Sequence, residues 1–199
     1  MPASERKLYV ISGLPASGKT TLARALANRL RVPVLDKDDI LEALFDSLAA
    51  GPDYPYTPAS RQRLSRASDT ILRTLVTGIF SAVVVSFWRH PGSRGTSGTP
   101  VAWLTTAGVP VVEIYCQCPP ELAKQRFLER DRHPGHCDQQ RNADGGLDFQ
   151  AYAAQGPLGI GECVRIDTGD SVDLDTLLAR LKASPAAAGH QEQLEETPR

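Results

Sequence analysis

The chain has 199 residues, 41% apolar and 23% charged, with 22 Lys+Arg against 23 Asp+Glu and a formal net charge of −1. That length allows one good core, the composition is globular rather than disordered, and the near-zero charge argues against a protein that coats nucleic acid or an anionic membrane. The total hides a split, because residues 61–94 hold six Arg against one acid, Asp69, while residues 142–199 hold ten acids against four bases.

No apolar run approaches the ~20 residues of a membrane span. Ser4-Glu5-Arg6-Lys7 leads into only a short apolar stretch, which does not read as a signal peptide. Four Cys (116, 118, 137 and 163) are too few for a disulfide scaffold in a chain this long, so a cytoplasmic protein with reduced thiols is expected. His133, His136 and Cys137 match no standard zinc spacing.

In chain order, Lys7–Ser12 reads as a buried strand and Gly13–Gly18 as a loop. Lys19–Leu30 reads as a helix with Leu22, Leu26 and Leu30 on one face. Val32–Leu35 is a short strand, Asp39–Ala49 a second helix and Gly51–Ser60 a proline-rich loop. Arg61–Phe80 follows as a long helix and Ala82–Phe87 as a β-branched central strand. After a loop over His90–Pro100 come a short helix at Val101–Ala107, a strand at Pro110–Cys118 and a helix through Glu121–Arg130. Residues 131–161 are polar and Gly-rich, without clear periodicity, and a loop that long is usually functional. Cys163–Asp167 and Leu174–Leu181 give a last strand and helix. Strands alternating with helices predict an α/β three-layer sandwich around a parallel sheet of about five strands. One domain is expected over 1–183, with a lid at about 126–161 and a disordered tail over 184–199.

The strongest signal is Gly13-Leu14-Pro15-Ala16-Ser17-Gly18-Lys19-Thr20, which fits G-x-x-x-x-G-K-[ST] between a strand and a helix. Backbone N–H groups of such a loop turn around a phosphate, and the helix N-terminus adds positive charge. Gly13, Ala16, Ser17, Gly18, Lys19, Thr20 and Thr21 are therefore the expected nucleotide contacts. Lys19 would reach the β- and γ-phosphates and Thr20 would ligate Mg²⁺. ATP is favoured over GTP, because no guanine-reading Asn-Lys-x-Asp is present. A motor or switch would place an Asp at the end of its hydrophobic strand, and here that position is Ser86. Acids stand instead in Leu35-Asp36-Lys37-Asp38-Asp39. Asp36 and Asp38 alternate at the end of the second strand, where open α/β sheets bind ligands. Asp38 is the favoured base for an acceptor hydroxyl and Asp36 the alternative, while Asp39 can simply cap a helix.

The phosphate loop, the Leu-Asp-x-Asp element at 35–38 and the run Arg126…Arg130-Asp131-Arg132 give the chain a resemblance. It resembles the P-loop small-molecule kinases related to nucleoside monophosphate kinases, and within them the chloramphenicol phosphotransferase, gluconate kinase and adenylylsulfate kinase branch. The resemblance implies strand order 2-3-1-4-5 and an acceptor-orienting role for Asp38. It implies lid arginines at Arg126, Arg130 and Arg132, with the adenine bordered by Thr168-Gly169-Asp170. The residues alone also permit a solvated helix for these arginines. His133 is a candidate substrate or phosphate contact, with an exposed lid position as the plain alternative.

Acceptor-site candidates are Tyr54, Tyr56, Arg61, Arg63, Phe87, Trp88, Arg89, His90 and Arg94. Of these, Tyr54, Arg63, Trp88, Arg89 and His90 are the primary set, since an aromatic beside an Arg suits an acceptor with a ring face and a polar edge. Trp88 can equally pack in the core. The expected function is ATP-dependent transfer of the γ-phosphate to a hydroxyl of a small molecule such as a sugar, a nucleoside-like metabolite or an antibiotic. The alternatives are a toxin-type kinase of a sugar nucleotide or RNA end, and an ATP-binding regulatory module with little turnover. No nucleic-acid or membrane partner is expected.

Overall fold

The computed structural model describes residues 6–48, 55–106, 108–143 and 146–183. Tyr54 and the tail expected over 184–199 lie outside the described residues. Five strands form one parallel sheet: β1 (Leu8–Gly13), β2 (Val34–Asp36), β3 (Ala82–Val85), β4 (Val111–Gln117) and β5 (Glu162–Asp167), in the order β2-β3-β1-β4-β5. β1 pairs with β3 from Leu8↔Ala82 and with β4 from Leu8↔Val111. The expected strand order is the one found.

Both sheet faces are covered, which is why the central strands read as continuous β-branched runs. On one face Val10 and Val84 pack with Leu72 and Val76 of α3 (Pro58–Gly78) and Leu104 of α4 (Ala102–Thr106). On the other, Ile11, Val83, Val85 and Ile114 meet Leu22 and Leu26 of α1 (Lys19–Leu30) and Leu177 and Leu181 of α8 (Leu174–Ala183). No helix of the described residues is long and apolar enough to cross a membrane. None of the four cysteines is in a disulfide. Burial pushes Cys116 up to about 12, so it packs as a small apolar residue.

Two differences from the sequence reading matter for the site. The first concerns the acids after β2. That strand ends at Asp36, and α2 begins at once and runs Lys37–Leu48. Asp38 therefore lies in the first turn of a helix and does not alternate with Asp36 along a strand. The reason is local: the Asp36 carboxylate accepts the Asp38 N–H at 2.9 Å and starts the helix itself. Asp39, the expected cap, instead pairs with Arg24 at 3.0 Å in solvent.

The second concerns residues 131–161. This segment contains a 3₁₀ turn at Pro134–His136, α6 (Asp138–Ala143) and α7 (Phe149–Gln155), and it follows α5 (Pro120–Glu129). Each element is too short to show a period. Instead, α7 is started by the Asp148 side chain, which accepts from the Ala151 N–H at 2.9 Å, and is held by buried Phe149. The return to β5 is pinned by Glu113, which is fully buried. Its carboxylate accepts from Ser12 Oγ at 2.5 Å and from the N–H groups of Leu158 and Gly159 at 2.7 and 2.9 Å.

Candidate active site

A cavity of about 610 Å³ runs across the carboxyl ends of the strands, from the segment after β5 to the start of α2. The phosphate loop forms its floor. At Gly13 φ is +131°, and a Cβ there would stand 2.6 Å from the Cys116 carbonyl, so only glycine lets the loop leave β1 against β4. Gly18 is left-handed at φ +87° and gives α1 no side-chain cap, which leaves the helix N-terminus open to an anion. Ser17 Oγ is buried with no hydrogen-bond partner. Lys19 Nζ bridges the inside of the loop, donating to the Gly13 and Leu14 carbonyls at 3.2 and 2.5 Å. Burial brings Lys19 down to about 8, against the opposing pull of Cys116, Asp38 and Asp36. These are the features of a loop built for phosphate.

Thr20 Oγ1 donates to Asp36 at 2.9 Å. A hydroxyl and a buried carboxylate at the mouth of a phosphate loop form a hard oxygen pair suited to Mg²⁺, so the residues present fit that ion. Asp36 is raised to about 6 by burial first and then by the Asp38 charge, a state that a cation there would relieve. Ser86, where a motor or switch would place its strand-end Asp, faces the same cavity and meets Thr99 Oγ1 at 2.6 Å. Thr99 spends its own proton on Asp69 at 2.7 Å, and Asp69 also pairs with Lys37 at 2.7 Å. Ser86 must therefore donate to Thr99, which leaves its oxygen as an acceptor.

Arg126 lines the β5 end of the cavity. Its guanidinium donates to the Thr168 and Gly169 carbonyls at 2.9 and 2.7 Å, tying α5 to the segment after β5. Thr168, Asp170, Val172 and Leu174 complete that wall. Arg130 stacks over Phe127 at 4.4 Å and reaches Asp138 at 3.4 Å. Arg132 pairs with Asp38 and, at 3.4 Å, with Asp138. Burial would raise Asp38, but Arg132, followed by His136, Lys19 and Lys37, holds it below its ordinary value.

The segment carrying Arg132 lies along α2 as a clasp. Asp38, Glu42 and Asp46 stand four residues apart on that helix. They meet Arg132, His136 Nε2 at 2.7 Å and His133 Nε2 at 3.0 Å. Gly135 seats on the Phe45 ring, where a Cβ would collide. With Nε2–H given to Glu42, His136 Nδ1 is buried without a partner. Burial and then Arg132 depress its pKa, so it stands neutral at neutral pH.

Several expected acceptor residues are placed elsewhere. Trp88 is 7% exposed, donates its indole N–H to the Ile11 carbonyl at 2.8 Å and packs on Trp103. It is a core residue, because the strand turns it beneath the sheet edge. Arg89 does not reach the cavity, since its guanidinium donates to the Thr96 and Gly98 carbonyls, the latter at 3.2 Å, and closes its own loop. His90 contacts the Pro157 carbonyl at 3.1 Å and lines only a small cleft with Tyr152. Arg63 is exposed on α3 and outside the cavity wall. His133 touches Asp46 and the Tyr56 ring rather than the cavity. Arg61, Phe87, Val85 and Leu147 supply the wall instead. Sequence reasoning missed Glu42 and Asp46, although their i, i+4, i+8 spacing from Asp38 was there to be seen. It also met Asp69 only as a charge.

A mononucleotide-binding loop, an acidic pair and overlying arginines on a 2-3-1-4-5 sheet define the P-loop kinase fold. A family profile described as an AAA domain (AAA_33) matches residues 8–146, and the chain belongs to that family. It is 29% identical over 150 residues to a thymidylate kinase of Xylella fastidiosa, covering 68% of this chain and 72% of that one. Among solved structures it resembles a candidate kinase from Chloroflexus aurantiacus (TM-score 0.67, 23% identity, 94% of this chain and 100% of that one). It also resembles a gluconokinase from Sinorhizobium meliloti (0.50, 14%, 93% and 98%) and a shikimate kinase from Bacteroides thetaiotaomicron (0.50, 15%, 88% and 96%). At these identities the structural likeness establishes the fold.

Proposed function

We propose that the protein is an ATP-dependent phosphotransferase that moves the γ-phosphate to a hydroxyl of a small molecule. The observation that carries this reading is the facing of Lys19 and Asp38 across one cavity, with Arg130 and Arg132 lining it as well. Transfer makes a bond from the acceptor oxygen to phosphorus, breaks the bond to the ADP oxygen and releases the hydroxyl proton. Asp38 accepts that hydrogen bond and aims the oxygen in line. Because Arg132 keeps its basicity low, Asp38 orients the hydroxyl first and takes the proton late, which suits a loose transition state. Lys19, Arg130 and Arg132 answer the charge of the transferring group. Arg126 and Thr168–Leu174 would hold the nucleoside. Thr20 and Asp36 would hold Mg²⁺, which when bound neutralises phosphate charge.

A second reading follows from the thymidylate kinase relatives, namely a nucleoside monophosphate accepting on its phosphate. A carboxylate in the acceptor position speaks against it, since Asp38 would repel an incoming phosphate oxygen. The test is an ADP-release screen over sugars, polyols, hydroxy acids, antibiotics and deoxynucleoside monophosphates, with product masses measured. Gain of one phosphate on a hydroxyl compound is the expected result. ATP binding without any phosphorylated product would overturn the reading.

A further inference from the structure

The strand order gives the cavity two ends. At the β5 end the wall is Arg126, Thr168, Asp170, Ser171, Val172 and Leu174, and at the β2 end it is Asp36, Asp38, Val85, Ser86, Phe87 and Arg61. Eight charged side chains line the whole, five cations against the three acids Asp36, Asp38 and Asp170. Four of the cations belong to the transferring phosphates or the nucleotide: Lys19 in the loop, and Arg126, Arg130 and Arg132 on or just after α5. Arg61 is the fifth and has a different origin. It comes from the first turns of α3, a helix packed on α2 and β2 and so on the far side of Asp38 from the nucleotide wall. Between Asp38 and the neighbouring strand end, Val85 and Phe87 offer an apolar face, with Phe87 held edge-on by Tyr152 at 5.3 Å.

We propose that the acceptor is a small hydroxy compound bearing an anionic group, carboxylate or phosphate. Arg61 receives the anion while the hydroxyl lies on Asp38 and the carbon skeleton lies on Val85 and Phe87. This rests on the phosphotransfer reading above and narrows its substrate class. A guanidinium takes either anion through two parallel N–H bonds, and its own charge disfavours a cationic group at that point. The arrangement fixes three points of a small molecule, which sets one hydroxyl in line and leaves others out of reach.

The test is ADP release with product mass in four arms at fixed ATP: hydroxycarboxylates, sugar monophosphates, neutral polyols and sugars, and cationic aminocyclitols. Deoxynucleoside monophosphates form a fifth arm. Turnover concentrated in the first two is expected, and whichever of them wins identifies the anion. With that acceptor, Arg61→Gln should raise its KM about tenfold or more while kcat and the KM for ATP move less than about twofold. Arg61→Lys should restore affinity for a phosphate better than for a carboxylate, which needs the planar fork. If Arg61→Gln melts early, the neutral Arg61→Met carries the same KM contrast. A neutral or cationic acceptor with the highest kcat/KM would overturn the anionic class and leave phosphotransfer standing. So would an unchanged acceptor KM in Arg61→Gln, or in Arg61→Met where that replaces it. A nucleoside diphosphate product would overturn the hydroxyl at Asp38. No product in any arm, with ATP still bound, would overturn phosphotransfer and this inference with it.

Discussion

The two ends of the cavity are made in different ways. The end we assign to the nucleotide is mostly backbone: a loop of eight consecutive residues, an uncapped helix N-terminus and two carbonyls that hold Arg126. The end we assign to the acceptor is mostly side chains from α2, α3, the end of β3 and the segment after α5, residues as far apart as Asp38 and Arg132. A site made of consecutive backbone is constrained by local conformation and keeps one answer for any nucleotide. A site made of distant side chains can change one residue at a time, which is where a substrate class is chosen.

The largest effects belong to one residue at each end, Lys19 and Asp38. Lys19→Ala should lower kcat by about 10³–10⁵-fold, because it removes the cation nearest the transferring charge. Steady-state ADP release checks this, and near-normal turnover would mean that the loop binds phosphate without catalysing. Asp38→Asn should cost about 10²–10⁴ in kcat with the ATP affinity little changed. If Asp36→Asn gives that loss with bound ATP intact and Asp38→Asn does not, the roles of the two acids are exchanged.

The pH profile sharpens the same division, since the two ends titrate on opposite sides of neutrality. Asp36 is raised to about 6 and Lys19 lowered to about 8, so kcat/KM for ATP should be bell-shaped with limbs near those values. The sign for stability follows from the same shift. A carboxyl whose folded value lies above its unfolded one holds an extra proton in the fold between about 4 and 6, so its stabilisation disappears as pH rises through 6. Asp36→Asn should therefore raise stability at pH 7.5, by ~1–2 kcal/mol, while removing the acid limb. Denaturant melts at pH 5 and 7.5 measure it, and an equal effect at both would exclude the titration of Asp36 as its source. His136 runs the other way. Its depressed value makes the unfolded chain the better proton acceptor, so acidification below the ordinary histidine range should loosen the clasp on α2.

What could be read from the chain follows the same line. The strand order, the phosphate loop and the helix after it are carried by β-branched runs and a contiguous motif, so they were legible. Asp36 and Asp38 were legible as acids, but their geometry was not. Whether a helix begins at residue 37 or 39 depends on one side chain, Asp36, turning back onto the Asp38 N–H. The clasp was half legible: the acidic stripe at 38, 42 and 46 has a period, whereas Arg132, His133 and His136, which meet it, lie in a segment with none. Trp88 and Arg89 leave the cavity for two physical reasons. Trp88 takes the core alternative left open for it, its indole N–H donating to the Ile11 carbonyl, while Arg89 was misplaced because its guanidinium is drawn to the carbonyls of its own loop.

That last correction yields the smallest effect and the finest test. Arg89 spends its guanidinium on the carbonyls of its own loop, and Trp88 closes the core through the Ile11 carbonyl. Arg89→Ala should therefore leave the KM for ATP and for the acceptor within about twofold and cost under ~1 kcal/mol, the usual size for an exposed loop contact. Trp88→Phe should cost more in stability, about 1–3 kcal/mol, since it strands a buried carbonyl and leaves space beside Trp103. It too should leave the acceptor KM nearly unchanged. Acceptor kinetics beside a denaturant melt separate the two ends cleanly: Phe87→Ala, one residue earlier in the chain, should raise the acceptor KM severalfold. If Arg89→Ala rather than Phe87→Ala raised it, the acceptor would lie over the loop after β3 and not against the wall that Val85, Phe87 and Arg61 form.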